Sequence, residues 1–206
     1  MTVLLVAGGS ACAVDAPDEP LDAAASSATA TATTATATAA PAEVAQRVGS
    51  VLPEPPQGIQ LPSGRRVGIR PVGTTDNGVL DVPADIDLAG WWSGGSRLGD
   101  PFGSTLVAAH VDSRSQGLGP FASLLEAAPG DRVIVWSEGL RQAFVVTSKR
   151  LRPRGAIGER SALHSPNGAR RLTLVTCAGP YDATRGGYQN LAVIVAEPAG
   201  TVVARP

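Results

Sequence analysis

Residues 172–182 read LTLVTCAGPYD, and the first five are leucine, threonine and valine only. Such a run, bounded by glycine and proline, predicts a buried β-strand. We expect the strand to end at Thr176, because Ala178-Gly179-Pro180 should break it and open a loop. Cys177 would then lie at a strand end, where loops on a rigid scaffold often carry reactive groups.

The same pattern recurs along the chain on the N-terminal and C-terminal sides of this stretch. Short runs of Val, Ile, Leu and Thr are separated by Gly, Pro, Asn and Asp, which predicts strands joined by turns. The predicted strands are Ile59–Leu61, Val67–Arg70, Val79–Val82, Thr105–Val111, Arg132–Trp136, Gln142–Thr147, Arg171–Thr176 and Leu191–Ala196. Residues 137–139 predict a hairpin, and only Phe121–Ala127 predicts a helix. We therefore expect an all-β, mainly antiparallel barrel or sandwich with one or two short helices.

The N-terminal quarter of the chain has a different composition. Residues 1–20 begin with MTVLLVA and lead through small residues to Ala11-Cys12, which is typical of a truncated signal or of a lipoprotein leader whose Cys12 is lipidated. The alternative is an unstructured segment of small residues. Residues 21–57, rich in Ala, Thr, Ser and Pro, predict a disordered tether. We expect a folded domain at residues 58–206, outside the cytoplasm and tethered to a membrane or cell surface.

Charge and cysteine content exclude several function classes. The 206 residues carry a formal net charge of -1 with no cluster of Lys and Arg, so neither a nucleic-acid footprint nor a polybasic membrane patch is present. The two cysteines, Cys12 and Cys177, lie in unrelated parts of the chain, and we expect no disulfide between them. No CxxC spacing occurs, so we expect no metal site and no cofactor.

Three residues are candidates for chemistry, and each has a structural alternative. Cys177 is either a reactive thiol or a buried cysteine that packs as a small hydrophobe. His110 ends a predicted strand and is either an acid–base group or a histidine bonded to backbone. Arg185, in the loop after the cysteine strand, is either a donor to an oxyanion or a solvated cation. His164 lies in a polar turn and is expected to be exposed and without a catalytic role.

In this order and with these flanks, the chain resembles the sortases, and most closely the class F sortases of actinobacteria. The resemblance covers Ile59–Pro198, and its segments are IQLPS, RPVGTTDNGVLDVP, GWW at 90–92, LVAAHVDS, GPFASL, PGDRVIV and LTLVTCAGPYD. Two positions depart from the family pattern. Ala109 stands where glycine is usual before the histidine, and Gln189 occupies a place near the last strand where relatives can carry the arginine.

The resemblance implies an eight-stranded sortase-type β-barrel and a cysteine transpeptidase. Cys177 would attack the carbonyl between Thr and Gly of an LPxTG-like sorting signal and form a thioacyl intermediate. His110 would protonate the leaving amine and later deprotonate the incoming one, and Arg185 would hold the substrate and the oxyanion. Thr176, Ala109 and Tyr188 would line the substrate site.

The resemblance also implies the partners. These are surface proteins that bear a sorting signal, and an acceptor amine on a cell-wall precursor or another protein. We expect a monomer that needs no cofactor and binds no nucleic acid. Because Cys177 follows a strand and not a helix N-terminus, the sequence predicts a thiol that is not strongly acidic.

Three other functions compete with this interpretation. A sortase-like barrel that has lost catalysis would be a surface binding module, although the intact Cys-His-Arg set argues against that. L,D-transpeptidases place histidine and cysteine close in sequence, unlike His110 and Cys177. A papain-type protease carries its nucleophile at the start of a helix, which this sequence does not predict at Cys177.

Overall fold

The computed structural model describes residues 51–76, 78–155 and 163–205 of the chain, which lie in a compact unit spanning Arg47–Pro206. The predicted leader and residues 21–50 of the predicted tether lie outside the described residues. Within the described ranges, no helix has the length and apolar character needed to cross a membrane. Regular structure in these ranges is almost entirely β.

The strands are short at the start of the domain and long at its end. In chain order they are β1 (Gly58–Gln60), β2 (Arg66–Val72), β3 (Leu88–Trp92), β4 (Ser104–Ala108), β5 (Asp112–Ser113), β6 (Gly117–Leu118), β7 (Arg132–Trp136), β8 (Leu140–Pro153), β9 (Arg171–Asp182), β10 (Gly187–Pro198) and β11 (Val203–Ala204). Two short 3-10 helices, Pro120–Leu125 and Ala183–Arg185, stand between them.

Eight of these strands close into a barrel. Their order is β10-β9-β4-β3-β2-β1-β7-β8, and pairing of β10 with β8 joins the two ends. The two-residue β11 adds to β8 outside this ring, and β5 pairs only with β6. The pairs β2–β3 and β4–β9 are parallel, and the other pairs of the ring are antiparallel. The predicted all-β, mainly antiparallel, eight-stranded barrel is confirmed.

Alternation along β9 and β10 sets the inner and outer faces of the barrel wall. In β9 the residues Leu172 and Leu174 are fully buried in the core cluster, and Ile194 of β10 joins them. Side chains on a strand point alternately to opposite faces, so the residues between them point away from the core. Val175 and Cys177, both only partly buried, belong to that outer row.

Several predicted elements differ from those observed. Val79–Val82 was predicted as a strand, but among these residues only Leu80 forms an isolated bridge, to Thr74. The strand Leu88–Trp92 was not predicted, because its glycine and tryptophans interrupt the aliphatic pattern. The predicted helix Phe121–Ala127 is a 3-10 helix that starts with Pro120 and ends at Leu125. The hairpin at residues 137–139 is confirmed between β7 and β8.

The described end of the predicted tether, residues 51–57, contacts the barrel. Glu54 and Leu98 exchange two backbone hydrogen bonds of 2.9 Å. The Glu54 carboxylate accepts a bond of 2.8 Å from the backbone N–H of Gly139. Gln57 donates its N–H to the carbonyl of Trp136 at 2.9 Å and accepts from Ile69 N–H at 2.8 Å. These bonds connect the segment to the barrel, although the segment precedes the predicted domain start at residue 58.

Candidate active site

The cysteine lies within a strand rather than at its end. β9 continues through Gly179 and Pro180 to Asp182, so the predicted break after Cys177 is wrong. The strand continues because β10 pairs with it as far as Asp182, with an irregularity in register between Tyr188 and Asn190 that accommodates the proline. Cys177 is a free, half-buried thiol on the outer face of the barrel wall.

His110 lies beside this thiol by strand register. In the parallel pair β4–β9, Ala108 is level with Val175, and the N–H of Ala109 donates to the Val175 carbonyl at 3.2 Å. The same register, continued by two residues, brings His110 level with Cys177. Neighbouring strands lie about 4.8 Å apart, so the two residues start from adjacent backbone positions. The imidazole is partly buried, as the thiol is.

Thr176 and Ala109, predicted to line the substrate site, face the interior instead of the outer face that carries Cys177. Thr176 is 2% exposed and Ala109 is 4% exposed. The Thr176 hydroxyl donates to the Ala109 carbonyl at 2.9 Å. This bond joins the residue before the cysteine to the residue before the histidine. The Thr176 side chain therefore connects the backbone next to Cys177 to the backbone next to His110.

Burial and two charges act on the thiol. Burial raises the pKa of Cys177 above its ordinary value, the positive charge of Arg154 lowers the pKa, and the negative charge of Asp112 raises it. Burial is the largest of the three effects, so the resting thiol is protonated at neutral pH. The direction agrees with the predicted absence of a strongly acidic thiol.

Tyr188 borders the site through a polar contact with the histidine loop. Its hydroxyl donates to a carboxylate oxygen of Asp112 at 2.5 Å. This bond, together with burial and the nearby negative charge, raises the pKa of Tyr188 to about 12. The ring packs edge-on against Tyr181 with 5.1 Å between centroids, and Arg114 donates to the Tyr181 hydroxyl at 3.4 Å. The contacts link the β5–β6 hairpin to the β9–β10 hairpin next to the thiol.

The two arginines near the β9–β10 hairpin are held differently. Arg185 is the last residue of the 3-10 helix Ala183–Arg185 and is exposed. Arg154, directly after β8, donates its backbone N–H to the Gln189 carbonyl at 2.8 Å and a guanidinium N–H to the Gly186 carbonyl at 2.7 Å. The sequence did not single out Arg154, because its proximity to Cys177 depends on the pairing of β8 with β10. Asp112 lies in the LVAAHVDS segment that contains His110, but it was not among the predicted site residues.

A cavity of about 220 Å³ is formed by residues of β8, β9 and β10 together with Leu163. Its lining residues are Ser148, Arg150, Arg152, Leu163, Arg171, Thr173, Val193 and Val195, and Cys177 is not among them. Among the described residues, no three His, Cys, Asp or Glu side chains converge as metal ligands.

The second histidine has a packing role that the sequence did not predict. His164 was expected to be exposed but is half-buried, and its ring packs edge-on against Trp92 with 5.3 Å between centroids. This contact connects the segment before β9 to the end of β3.

Comparison with known proteins identifies the family to which this barrel belongs. A family model described as the sortase domain matches residues 64–199. The chain belongs to the sortase family. A search of curated proteins gave no significant match.

Solved structures with the same fold are sortases of several types. Sortase A of Listeria monocytogenes is 17% identical with a TM-score of 0.54, over 72% of this chain and 89% of that one. The SrtA sortase of Actinomyces oris is 20% identical with a TM-score of 0.53, over 77% and 89%. Sortase E1 of Streptomyces coelicolor, solved with a tripeptide in its active site, is 15% identical with a TM-score of 0.52, over 74% and 91%. At these identities the likeness establishes the shared fold.

Proposed function

We propose that this chain is an active sortase, a cysteine transpeptidase that cleaves an LPxTG-like sorting signal between Thr and Gly. The observation that supports the proposal is the register of the parallel pair β4–β9, whose last pair, Ala108 with Val175, lies two residues before His110 and Cys177. Acyl transfer through a covalent intermediate requires at least a nucleophile and an acid–base group that lie close to each other. The assignment to class F rests on the sequence segments around Cys177 and His110.

The chemistry has two acyl-transfer steps. The Cys177 sulfur attacks the threonine carbonyl, and the C–N bond breaks as His110 gives a proton to the leaving glycine amine. The thioacyl-enzyme is then attacked by an acceptor amine, whose proton passes to His110 as the C–S bond breaks. Because burial raises the pKa of the thiol, only a small fraction of the resting enzyme holds the reactive thiolate at neutral pH.

The oxyanion of each step needs a donor, and Arg185 is the sequence candidate. Thr176 and Ala109 act as positioning residues, since both are buried and the Thr176 hydroxyl donates to the Ala109 backbone carbonyl. Tyr188, which bonds to Asp112, is assigned contact with the substrate. Each predicted site residue thus has a proposed role that a variant can test.

The cellular setting follows from the same proposal. Substrates are surface proteins with a sorting signal, and acceptors are amines of a cell-wall precursor or another protein. The domain works as a monomer outside the cytoplasm, held at the surface through residues 1–57. No cofactor is required, because thiol, imidazole and guanidinium supply the acyl-transfer chemistry.

Mass spectrometry after incubation with LPxTG and LAxTG peptides and a small amine tests the proposal. We expect an acyl-enzyme on Cys177, cleavage after threonine and a peptide–amine product, all lost in Cys177→Ala. His110→Ala should lower turnover by a factor of about 100 or more. Peptide binding without cleavage would contradict the proposal and favour a catalytically inactive binding module. Wild-type turnover in Arg185→Ala would remove Arg185 from the site.

A further inference from the structure

Arg154 occupies a position that strand register relates directly to the thiol. Across three neighbouring strands, Arg152 of β8, Leu191 of β10 and Cys177 of β9 are level with one another. Arg154 follows two residues later, and its N–H extends the ladder to Gln189 at 2.8 Å. Residues two apart on a strand share a face, so Arg154 projects from the face that carries the thiol.

The Arg154 guanidinium is fixed without losing its charge. One of its N–H groups donates to the Gly186 carbonyl at 2.7 Å, and both its Nη1 atom and the Tyr181 ring lie close to Gly187. Its bonded partners are backbone carbonyls, and the ion pair of the described residues, Arg65 with Asp87, is elsewhere. A guanidinium has five N–H donors, so several remain for an anion. The side chain is therefore a positioned cation with unused donors.

Arg185 lacks comparable anchoring. It is exposed at the C-terminal end of a three-residue 3-10 helix in the β9–β10 turn. The charge that lowers the pKa of Cys177 is that of Arg154. Gln189, where relatives can carry the arginine, instead gives its backbone carbonyl to Arg154. The cation beside the thiol thus comes from β8 in this chain.

We propose that Arg154 supplies the positive charge of the active site, first beside the Cys177 thiolate and then beside the oxyanion. When the sulfur attacks the scissile carbonyl, a C–S bond forms and the carbonyl π electrons move to oxygen. The guanidinium donates hydrogen bonds to that oxygen and keeps its own proton throughout. The oxyanion part of this inference rests on the proposed function, whereas the effect on the thiol does not.

Other groups face the thiol, and the experiment must separate them from Arg154. His110 comes from the loop after β4, Asp112 from β5 and Tyr188 from β10, with Arg152 level with the thiol on β8. The Asp112 charge opposes that of Arg154. With a neutral residue at position 154, the negative charge of Asp112 should therefore act on the thiol without the opposing positive charge of Arg154.

Thiol alkylation as a function of pH provides a test that needs no substrate. The full chain carries Cys12→Ser, so that iodoacetamide reports on Cys177 alone, and Arg154→Gln is compared with Arg185→Gln. We expect Arg154→Gln to move the alkylation profile to higher pH and to slow alkylation at neutral pH about three- to tenfold. Arg185→Gln should superimpose on the parent. Arg154→Met, which keeps the aliphatic stem, is a second neutral variant, and Arg154→Lys should retain most of the parent profile.

Peptide cleavage measures the second half of the proposal. Loss of the oxyanion donor should lower kcat/KM of Arg154→Gln by a factor of about 100 or more, and Arg154→Lys should restore it only in part. An unchanged alkylation profile in both neutral Arg154 variants, or a shift in Arg185→Gln instead, would overturn the inference. If the alkylation profile shifts but the parent chain cleaves no peptide, the charge assignment holds and the proposed transpeptidase function fails.

Discussion

At the scale of single residues, the site depends on one buried side chain. Thr176 connects the cysteine strand to the segment that carries the histidine through its bond to the Ala109 carbonyl. On β4, the Thr105 hydroxyl makes a bond of the same kind and donates to the Ser96 carbonyl at 2.8 Å. Both threonines are buried, so they form a matched pair for separating stability from function.

We expect Thr176→Val and Thr105→Val to lower the free energy of unfolding by similar amounts, about 1 kcal/mol each. Only Thr176→Val should also lower kcat of peptide cleavage, because it releases the backbone beside His110. Urea denaturation and steady-state kinetics measure the two effects. Equal kcat in the two variants would show that the Thr176 bond does not position the catalytic groups.

Residue identities in the site were accessible from sequence to different degrees. Cys177 and His110 are each flanked by a recognisable motif and could be proposed directly. Arg154 lies in a run of exposed arginines with no motif, and only the β8–β10 register relates it to the thiol. Thr176 and Ala109 could be named but not oriented, because their inward direction follows from the extension of β9 past the cysteine.

At the scale of elements, the β5–β6 hairpin and the β9–β10 hairpin meet through Tyr188 and Asp112. The raised pKa of Tyr188 means that the folded state favours the protonated phenol. Its stabilising contribution is present below the pKa of a free tyrosine, about 10, and is lost as the pH rises toward 12. The contact should therefore loosen only in strongly alkaline solution.

Tyrosinate absorbance can test this contact with little ambiguity, because the chain has two tyrosines. In Tyr181→Phe, the remaining Tyr188 should titrate near 12, and Asp112→Asn in that background should move its titration toward the ordinary value. Asp87→Asn, which removes a carboxylate bonded to Arg65, serves as the control. An unchanged pKa of Tyr188 in the Asp112→Asn variant would contradict the contact.

Element boundaries show where local sequence was insufficient. Gly179-Pro180 predicted a loop, yet β9 passes through it, because tertiary pairing with β10 outweighs the local preference for a break. β3 was missed because its LAGWW sequence lacks aliphatic alternation, although its parallel pairing with β2 is needed to close the ring. The aliphatic runs that became β7 and β10 were predicted well because periodicity and burial agree there.

At the scale of the whole molecule, the fold class followed from many short strands, but ring closure did not. Closure requires β8 to reach past its hairpin partner β7 and pair with β10, and no local pattern encodes that long-range pairing. Residues just before the predicted start of the domain at residue 58 also bond to the barrel. Residues 51–57 have a composition typical of a tether, yet their backbone bonds belong to the barrel.

We expect a chain that begins at residue 51 to be more stable than one that begins at 58. The shorter chain loses the Glu54–Gly139 bond of the carboxylate. It also loses four backbone bonds, two between Glu54 and Leu98 and two of Gln57, each worth about 1 kcal/mol. Thermal denaturation compares the two, with Glu54→Gln in the longer chain as a control for the carboxylate alone. Identical midpoints would mean that the segment adds nothing to the barrel.

The Glu54 contribution has a defined pH dependence. Hydrogen bonds from the Ser137 side chain and the Gly139 backbone lower the pKa of Glu54. A lowered pKa means that this stabilisation is present above the pKa of an unfolded glutamate and is lost as the pH falls through the folded value. The stability difference between Glu54→Gln and its parent should therefore shrink in acid.

The two faces of β9 have different roles, one in packing the interior and one in bearing the thiol. Leu172 and Leu174 fill the interior, while the alternate row bears the sulfur. Inserting one amino acid between Leu174 and Cys177 would exchange the two rows, turning the sulfur inward in the same step that misaligns the wall. Insertions can be accommodated in the connections between strands. An extra residue within β9 cannot, because the alternation of this strand decides which face carries the sulfur.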